Sequence, residues 1–265
     1  MVRQATFSPL DSTHICVTGH NIQKFLRFTE GALKQTGNQK IEPKDYKCHT
    51  WMSNGYLLLG GNDEKVYVMV NGDLKETIDL SNLETFGDHF GGHLDKNDKN
   101  LENRSFGMPV SVTSLCAFGN SFAVSNNFGL TYIFELDLET HKLTKNLFVL
   151  HKTIFIEENK KETSNTTINL LNIDPVIQIT ASPANEILIG LTHNRQLYQF
   201  NLATSLLNEK ESYWEKLGPG SHSASIRDLS VCTRKPLIAT CGDDRTVRVW
   251  NYSAFGYFAL RKPQK

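Results

Sequence analysis

The chain has 265 residues, 39% of them hydrophobic and 21% charged, a composition ordinary for a soluble globular protein with one sizeable core. Its 28 Lys and Arg balance 28 Asp and Glu. The zero net charge removes the electrostatic footprint of a nucleic-acid or membrane-surface binder and leaves protein partners as the default. The opening Met1-Val2-Arg3-Gln4 has no signal-peptide core. No apolar run approaches the roughly 20 residues that cross a bilayer. Cys16, Cys48, Cys116, Cys232 and Cys241 are odd in number and scattered, the pattern of free thiols in a reducing compartment. In that compartment the sequons at Asn103, Asn165 and Asn251 stay idle.

In chain order, Val2–Phe7 and His14–Gly19 alternate with period two and lead to a third segment at 25–28, as half-buried strands do. The next unit repeats the pattern with a weaker opening at Tyr46–Trp51, then 56–60 and 66–69. A third unit reads 112–117, 121–125 and 131–134, and the apolar stretch 143–156 is a fourth strand running into an insertion. A fourth unit reads Val176–Ala181, 186–191 and 197–200. The last is the clearest: 223–229, then 237–241, a polar turn Gly242-Asp243-Asp244-Arg245, and 246–250. No long segment keeps a capped helical period.

The spacing of the closing residues tests the repeat. From Phe28 to Met69 is 41 positions, and the following steps are 65, 66 and 50. A WD-type propeller blade takes about 40–45 residues. The long steps hold polar excursions at 81–108 and 151–172, and the last a shorter one at 208–220. The expectation is an all-β, WD40-type β-propeller of about five four-stranded blades forming an incomplete ring. Residues 1–221 would be later blades of one propeller. Residues 222–265 would be a further blade, the start of a second.

The last unit carries His222, Thr240, Asp244 and Trp250. Residues of these types, so spaced, can form a chain running from indole to hydroxyl to imidazole to carboxylate, which satisfies buried polar groups and ties an outer loop to inner strands. The competing reading, a Thr–His–Asp hydrolase triad, needs an exposed nucleophile, whereas Thr240 sits in a predicted core strand. Of the other units only the second keeps part of the pattern, with Asp63 in the matching turn.

The last unit resembles the WD-repeat family. Residues 2–9 (VRQATFSP), 25–35 (FLRFTEGALKQ), 234–241 (RKPLIATC) and 245–252 (RTVRVWNY) are similar to the cilia- and flagella-associated protein 57 family. The strong stretches lie at the two ends, about a quarter of the chain by this reading. That resemblance implies long axonemal proteins with two successive WD propellers and an extended coiled coil, linked to inner dynein arms and ciliary motility. It implies a non-catalytic scaffold in the axoneme that binds inner-arm or microtubule-associated proteins. The second reading is a cytosolic WD adaptor that recognises peptides in ubiquitin ligation or trafficking, although its candidate contact positions are not rich in Arg.

Other signals are weaker. His89 and His93, flanked by Asp88 and Asp95, have a zinc-like spacing, but Gly87, Gly91 and Gly92 argue against the helix it needs. The run 95–100 (DKNDKN) has Lys99 where a calcium loop needs an oxygen ligand. His14, Cys16 and His20 read as packing residues, and 157–162 (EENKKE) as a solvated loop. No catalytic residue, metal site, cofactor, nucleic acid or small-molecule substrate is expected. The insertions are expected to carry specificity, through Ile154, Phe155 and Ile156 in one and Phe86 and Phe90 in the other, as apolar anchors for a partner.

Overall fold

The computed structural model describes residues 1–36, 42, 44–83, 110–137, 147–156, 174–205, 212–218, 222–251 and 257–258. They form five four-stranded units, each a meander in which successive strands pair antiparallel. Blade 1 is β1 (Val2–Phe7), β2 (His14–Gly19), β3 (Ile22–Thr29) and β4 (Ala32–Gln35). Blade 2 is β5 (Tyr46–Trp51), β6 (Leu57–Gly61), β7 (Lys65–Val70) and β8 (Asp73–Asp79). Blade 3 is β9 (Val112–Phe118), β10 (Ser121–Asn126), β11 (Leu130–Leu136) and β12 (Phe148–Ile156). Blade 4 is β13 (Val176–Ala181), β14 (Ile187–Thr192), β15 (Leu197–Asn201) and β16 (Ser212–Lys216), with a short helix α1 (Leu202–Ser205) between the last two. Blade 5 is β17 (Ile226–Val231), β18 (Leu237–Gly242), β19 (Val247–Asn251) and β20 (Tyr257–Phe258).

The turns explain why these segments fold back as hairpins. Glu30-Gly31 and Asn71-Gly72 both have positive φ (54° and 77°, 52° and 83°), the twist-matched two-residue hairpin turn. The turn from second to third strand places Glu64, Gly129, Arg195 and Arg245 at one equivalent left-handed position, φ 66°, 79°, 61° and 59°. Three of these are not glycine, so the strain is carried by the repeat geometry rather than by residue type.

The core lies between blades. Leu57, Leu59, Tyr67 and Met69 of blade 2 meet Cys16 and Phe25 of blade 1. On the other face of the same sheet, Leu58, Val66 and Val68 meet Val112, Phe122, Val124 and Tyr132 of blade 3. Ala123, Ile133, Ile154 and Ile156 of blade 3 then meet Val176, Ile179, Leu188 and Phe200 of blade 4. Alternate residues of one strand therefore serve different cores, which is why β6 reads as a continuous apolar run.

Polar stitches run along the same boundaries. Each inner strand carries a register shift at its second residue, so Arg3, Lys47, Thr113, Ile177 and Arg227 are extruded as bulges. Lys47 Nζ donates to Ser111 Oγ (2.9 Å) and Thr113 Oγ1 to the Val176 carbonyl (2.6 Å), each reaching the next blade. Arg3 does the same by pairing with Asp45 at 3.1 Å. The residue after the bulge also reaches across. Gln4 bonds both backbone groups of His49 (2.9 and 2.8 Å), and Ser114 Oγ accepts from the Ile179 N–H (2.9 Å).

Blades 3 and 4 merge into one eight-stranded sheet because their outer strands pair parallel, Ile154 with Ser212, Phe155 with Tyr213 and Ile156 with Trp214. Glu215 and Lys216 of β16 then pair with β15. Trp214 is buried, and its Nε1 donates to Thr131 Oγ1 at 3.3 Å.

This seam corrects two expectations. β12 (Phe148–Ile156) is the fourth strand expected within 143–156, so the excursion does not begin at 151, and Ile154, Phe155 and Ile156 are 0%, 5% and 1% exposed. They are apolar because two inter-blade cores and a sheet seam enclose them, so they are not an exposed trio awaiting a partner. The 208–220 excursion contains β16, the fourth strand of blade 4. The rest of the 151–172 stretch, with its charge run 157–162, lies outside the described residues, as do 84–109.

Blade 5 differs from the others. β17 is exposed along its whole length, with Ile226, Leu229 and Val231 all more than half exposed. No strand ladder joins it to another blade among the described residues. Ile177 and Gln178 of blade 4, at the stitching positions, are exposed.

Ile156→Ala should lower stability by about 2–5 kcal/mol, the cost of a buried aliphatic truncated in a packed core. A urea titration checks this, and an unchanged midpoint would show that the seam does not contribute.

Candidate functional site

The four residues singled out in blade 5 form one hydrogen-bonded chain. Trp250 Nε1 donates to Thr240 Oγ1 at 2.7 Å. An indole N–H only donates, so the Thr240 oxygen accepts there and its hydroxyl proton is left for His222 Nε2, 2.8 Å away. That sets the tautomer: His222 Nδ1–H donates to Asp244 at 2.9 Å. Asp244 also accepts from the Thr246 and Ser223 backbone N–H groups and the Thr246 hydroxyl. Burial alone raises the Asp244 carboxyl. The hydrogen bonds from Thr246, His222 and Ser223 outweigh it and hold the group at about 2.

The elements place these groups. Thr240 is mid-strand in β18, Trp250 opposes Ile238 on β19, and Asp244 sits in the β18–β19 turn. His222 comes from the segment leading into β17. The order Asp–His–Thr matches a hydrolase triad in connectivity, but Thr240 is 5% exposed and its oxygen is already engaged by Trp250. A nucleophile needs a free lone pair facing substrate.

A second histidine network, not foreseen from the sequence, joins blades 1 and 2. His49 is buried on β5 between Thr6 Oγ1 at Nε2 (2.6 Å) and Thr18 Oγ1 at Nδ1 (2.7 Å). Burial pushes its imidazole down to about 4, so it is neutral near pH 7, with one ring nitrogen donating and the other accepting. The signal was present but divided: the two hydroxyls lie 43 and 31 residues away along the chain.

In blade 2, Asp63 occupies the turn matched to Asp244, but its partners are Lys44 Nζ at 2.9 Å and the Tyr67 hydroxyl. Lys44 also donates to Tyr67 at 2.7 Å, and hydrogen bonds to Tyr67 and Asp63 raise the ammonium above the ordinary lysine range. Leu59 and Met69 stand where blade 5 has Thr240 and Trp250, so the chain of four is replaced by a salt-bridged three.

Of the weaker signals, His14 packs against Phe25 and Trp51 with ring centroids 5.1 and 5.9 Å apart. Cys16 is fully buried and His20 is exposed. Phe86, Phe90, His89, His93 and the run 95–100 lie outside the described residues. No group of metal-ligating side chains occurs among the described residues.

The profile of the family described as "WD domain, G-beta repeat" matches residues 217–251, the span of the blade 5 network. Residues 217–251 match a WD repeat. The chain is 29% identical over 273 aligned positions to Cilia- and flagella-associated protein 57 of Mus musculus, covering 96% of the chain and 21% of that relative. It is 42% identical over 80 positions to Cilia- and flagella-associated protein 57 A of Tetrahymena thermophila, 29% of the chain and 6% of the relative. The chain thus spans about a fifth of the length of the mouse protein. The Myceliophteria thermophila Cps50 (Swd1) β-propeller domain superposes with a TM-score of 0.55 at 13% identity, over 94% of this chain and 69% of that one. That likeness establishes the β-propeller fold.

The geometry makes both histidine networks testable. His222→Ala should cost on the order of 1–3 kcal/mol by leaving Asp244 and Thr240 unpaired; chemical denaturation reads it, and loss of a hydrolytic activity with stability intact would make the network catalytic instead. His49 should impose a pH dependence. The unfolded chain takes a proton near the ordinary 6.5 and the folded one only near 4. Stability from this site is therefore complete above about pH 6.5 and lost as pH falls towards 4. In His49→Gln that slope should vanish from a series of urea midpoints taken between those values.

Proposed function

We propose that this chain is a non-catalytic protein-interaction scaffold of the ciliary or flagellar axoneme, associated with inner dynein arms and ciliary motility. The observation that carries this is similarity along 96% of the chain to a protein named for cilia and flagella. The structure is consistent with a binding role. Blades present exposed turns and outer edges on a rigid body, the usual way such a scaffold serves recognition. The His222–Thr240–Asp244–Trp250 chain fits a structural tie, since its donors and acceptors are occupied within the blade.

Residues 1–221 are read as blades of one propeller and 222–265 as a blade of another. In support, the positions that stitch blades 1 to 4 together are exposed in blade 4, at Ile177 and Gln178, and both faces of β17 are open.

The tagged chain, expressed in ciliated cells, should stay with axonemes after detergent extraction, and its loss should reduce inner-arm dynein on isolated axonemes and slow the beat. Full release with the soluble fraction, together with co-purification of ubiquitin-ligase subunits, would replace this reading with that of a cytosolic adaptor.

A further inference from the structure

Blades 1 to 4 end in two open faces of opposite kind. In blade 2, Leu58 and Val66 turn to the next blade and Leu57 and Met69 to the one before, and all four are buried. The strand registers put Ile189 and Leu197 of blade 4 where Leu58 and Val66 stand. They put Ile15 and Leu26 of blade 1 where Leu57 and Met69 stand. Among the described residues neither set belongs to a core. Leu197 is 44% exposed, and Phe28, two positions from Leu26 on the same face, is 49% exposed. Blade 4 thus presents the face that receives a following blade, and blade 1 the face that receives a preceding one.

The polar stitches at these ends also match. In blades 1 and 3 the residue after the bulge bonds the outward backbone of the fourth residue of the next inner strand. Gln4 bonds both groups of His49, and Ser114 accepts from the Ile179 N–H. In blade 4 that residue is again a glutamine, Gln178, and it is exposed, with no such bond among the described residues. Blade 1 offers the matching backbone at Ala5, which pairs with Val17 in the register that His49 keeps with Leu59. Blade 5 does not, because the Leu229 N–H is already taken by Asp228 Oδ1 at 2.8 Å. The bulged residue meets the residue just before the next inner strand, as Arg3 meets Asp45 and Lys47 meets Ser111. In blade 4 the bulged residue is the exposed, apolar Ile177. The seat before β1 is the exposed, apolar Met1, whereas the seat before β17 is the polar Ser225.

We propose that blade 4 of one chain docks on blade 1 of a second copy, and blade 4 of that copy on blade 1 of the first. Such a contact is head to tail, so it either closes into a ring or runs on as a filament. Two copies bring two sets of four blades, and closed propellers have about four to eight. A two-fold pair therefore closes both contacts at once, with blade 5 of each copy outside the ring. Ile177 then lies against Met1 of the other copy, and the Gln178 amide bonds the Ala5 backbone as Gln4 bonds that of His49. The inference rests on the reading of residues 1–221 as blades of one propeller and names what completes it.

The test is sedimentation velocity of the full 265-residue chain over a concentration series. A species of twice the 29.9 kDa chain mass should form and grow no further. Leu197→Lys and Phe28→Glu each place a charge in an apolar contact, and each should raise the dimer dissociation constant about tenfold or more. Mixing the two variants should restore the dimer. One of its contacts then joins an unaltered blade 4 to an unaltered blade 1, and the other sets a lysine on one copy against a glutamate on the other. Ile226→Lys and Leu229→Lys, in blade 5, should leave the dimer intact. If circular dichroism shows that a charged variant does not fold, Gln178→Ala decides instead, since it only trims an exposed side chain: its dimer should weaken, and an unchanged one overturns the proposal. So does a monomer at every concentration, a polymer that lengthens with concentration, or no recovery on mixing. Loss of the dimer in the blade 5 variants overturns it too and undoes the division at residue 221. A monomeric chain that stays with axonemes loses this pairing and keeps its scaffold role.

Discussion

The cover that one blade gives the next is the constraint on which the rest depends. β6 and β10 are buried on both faces because a neighbouring sheet lies on each side, and neither blade 2 nor blade 3 has an interior of its own. Where the described residues supply no neighbour the burial pattern halves: β14 alternates strictly between buried and partly exposed residues, and β17 is exposed throughout. Stability is then a sum of interface contributions along a series, as in other repeat architectures. A blade is ordered by what lies beside it as much as by its own ladder.

Polar groups set the register of those interfaces, which hydrophobic contact alone specifies poorly. In blades 1 to 3 the bulge turns one side chain towards the next blade, and in blades 1 and 3 the residue after it bonds the neighbour's backbone. His49 adds a buried link between two hydroxyls of blade 1 and the inner strand of blade 2. Blade 5 meets the same need differently. His222, Thr240, Asp244 and Trp250 satisfy one another inside a single sheet. A blade with its own network depends less on stitches from outside, and this agrees with its separation from the described stitches of blades 1 to 4.

The seam between β12 and β16 is the clearest departure from a simple repeat. Outer strands of adjacent blades diverge when each ends on its own sheet, leaving a groove. Here β16 crosses that groove, pairing first with blade 3 and then with blade 4. Trp214 fills the space and finds a hydroxyl on blade 3 for its N–H. The crossing seals two edges that would otherwise present unpaired backbone groups.

Much of the fold was legible in the sequence. Period-two alternation marked the first three strands of nearly every blade, because a strand with one polar face must alternate. The spacing of Phe28 and Met69 set the repeat length, and the residue types at His222, Thr240, Asp244 and Trp250 announced a network whose members lie within one blade. What the sequence could not express were relations between blades. Ile154, Phe155 and Ile156 read as an exposed trio because their cover, Ser212 to Trp214, lies more than fifty positions away and itself read as a loop. His49 gave no local sign of its two hydroxyl partners, and the left-handed turn recurs under Glu64, Gly129, Arg195 and Arg245, with no one residue type common to all four. Local pattern is decided by which side of a strand faces water, and the sequence determines that by itself. Which apolar side faces which neighbour, and which polar group completes it, is decided only when distant segments are brought together, because burial and hydrogen bonding belong to pairs of surfaces and not to either one alone.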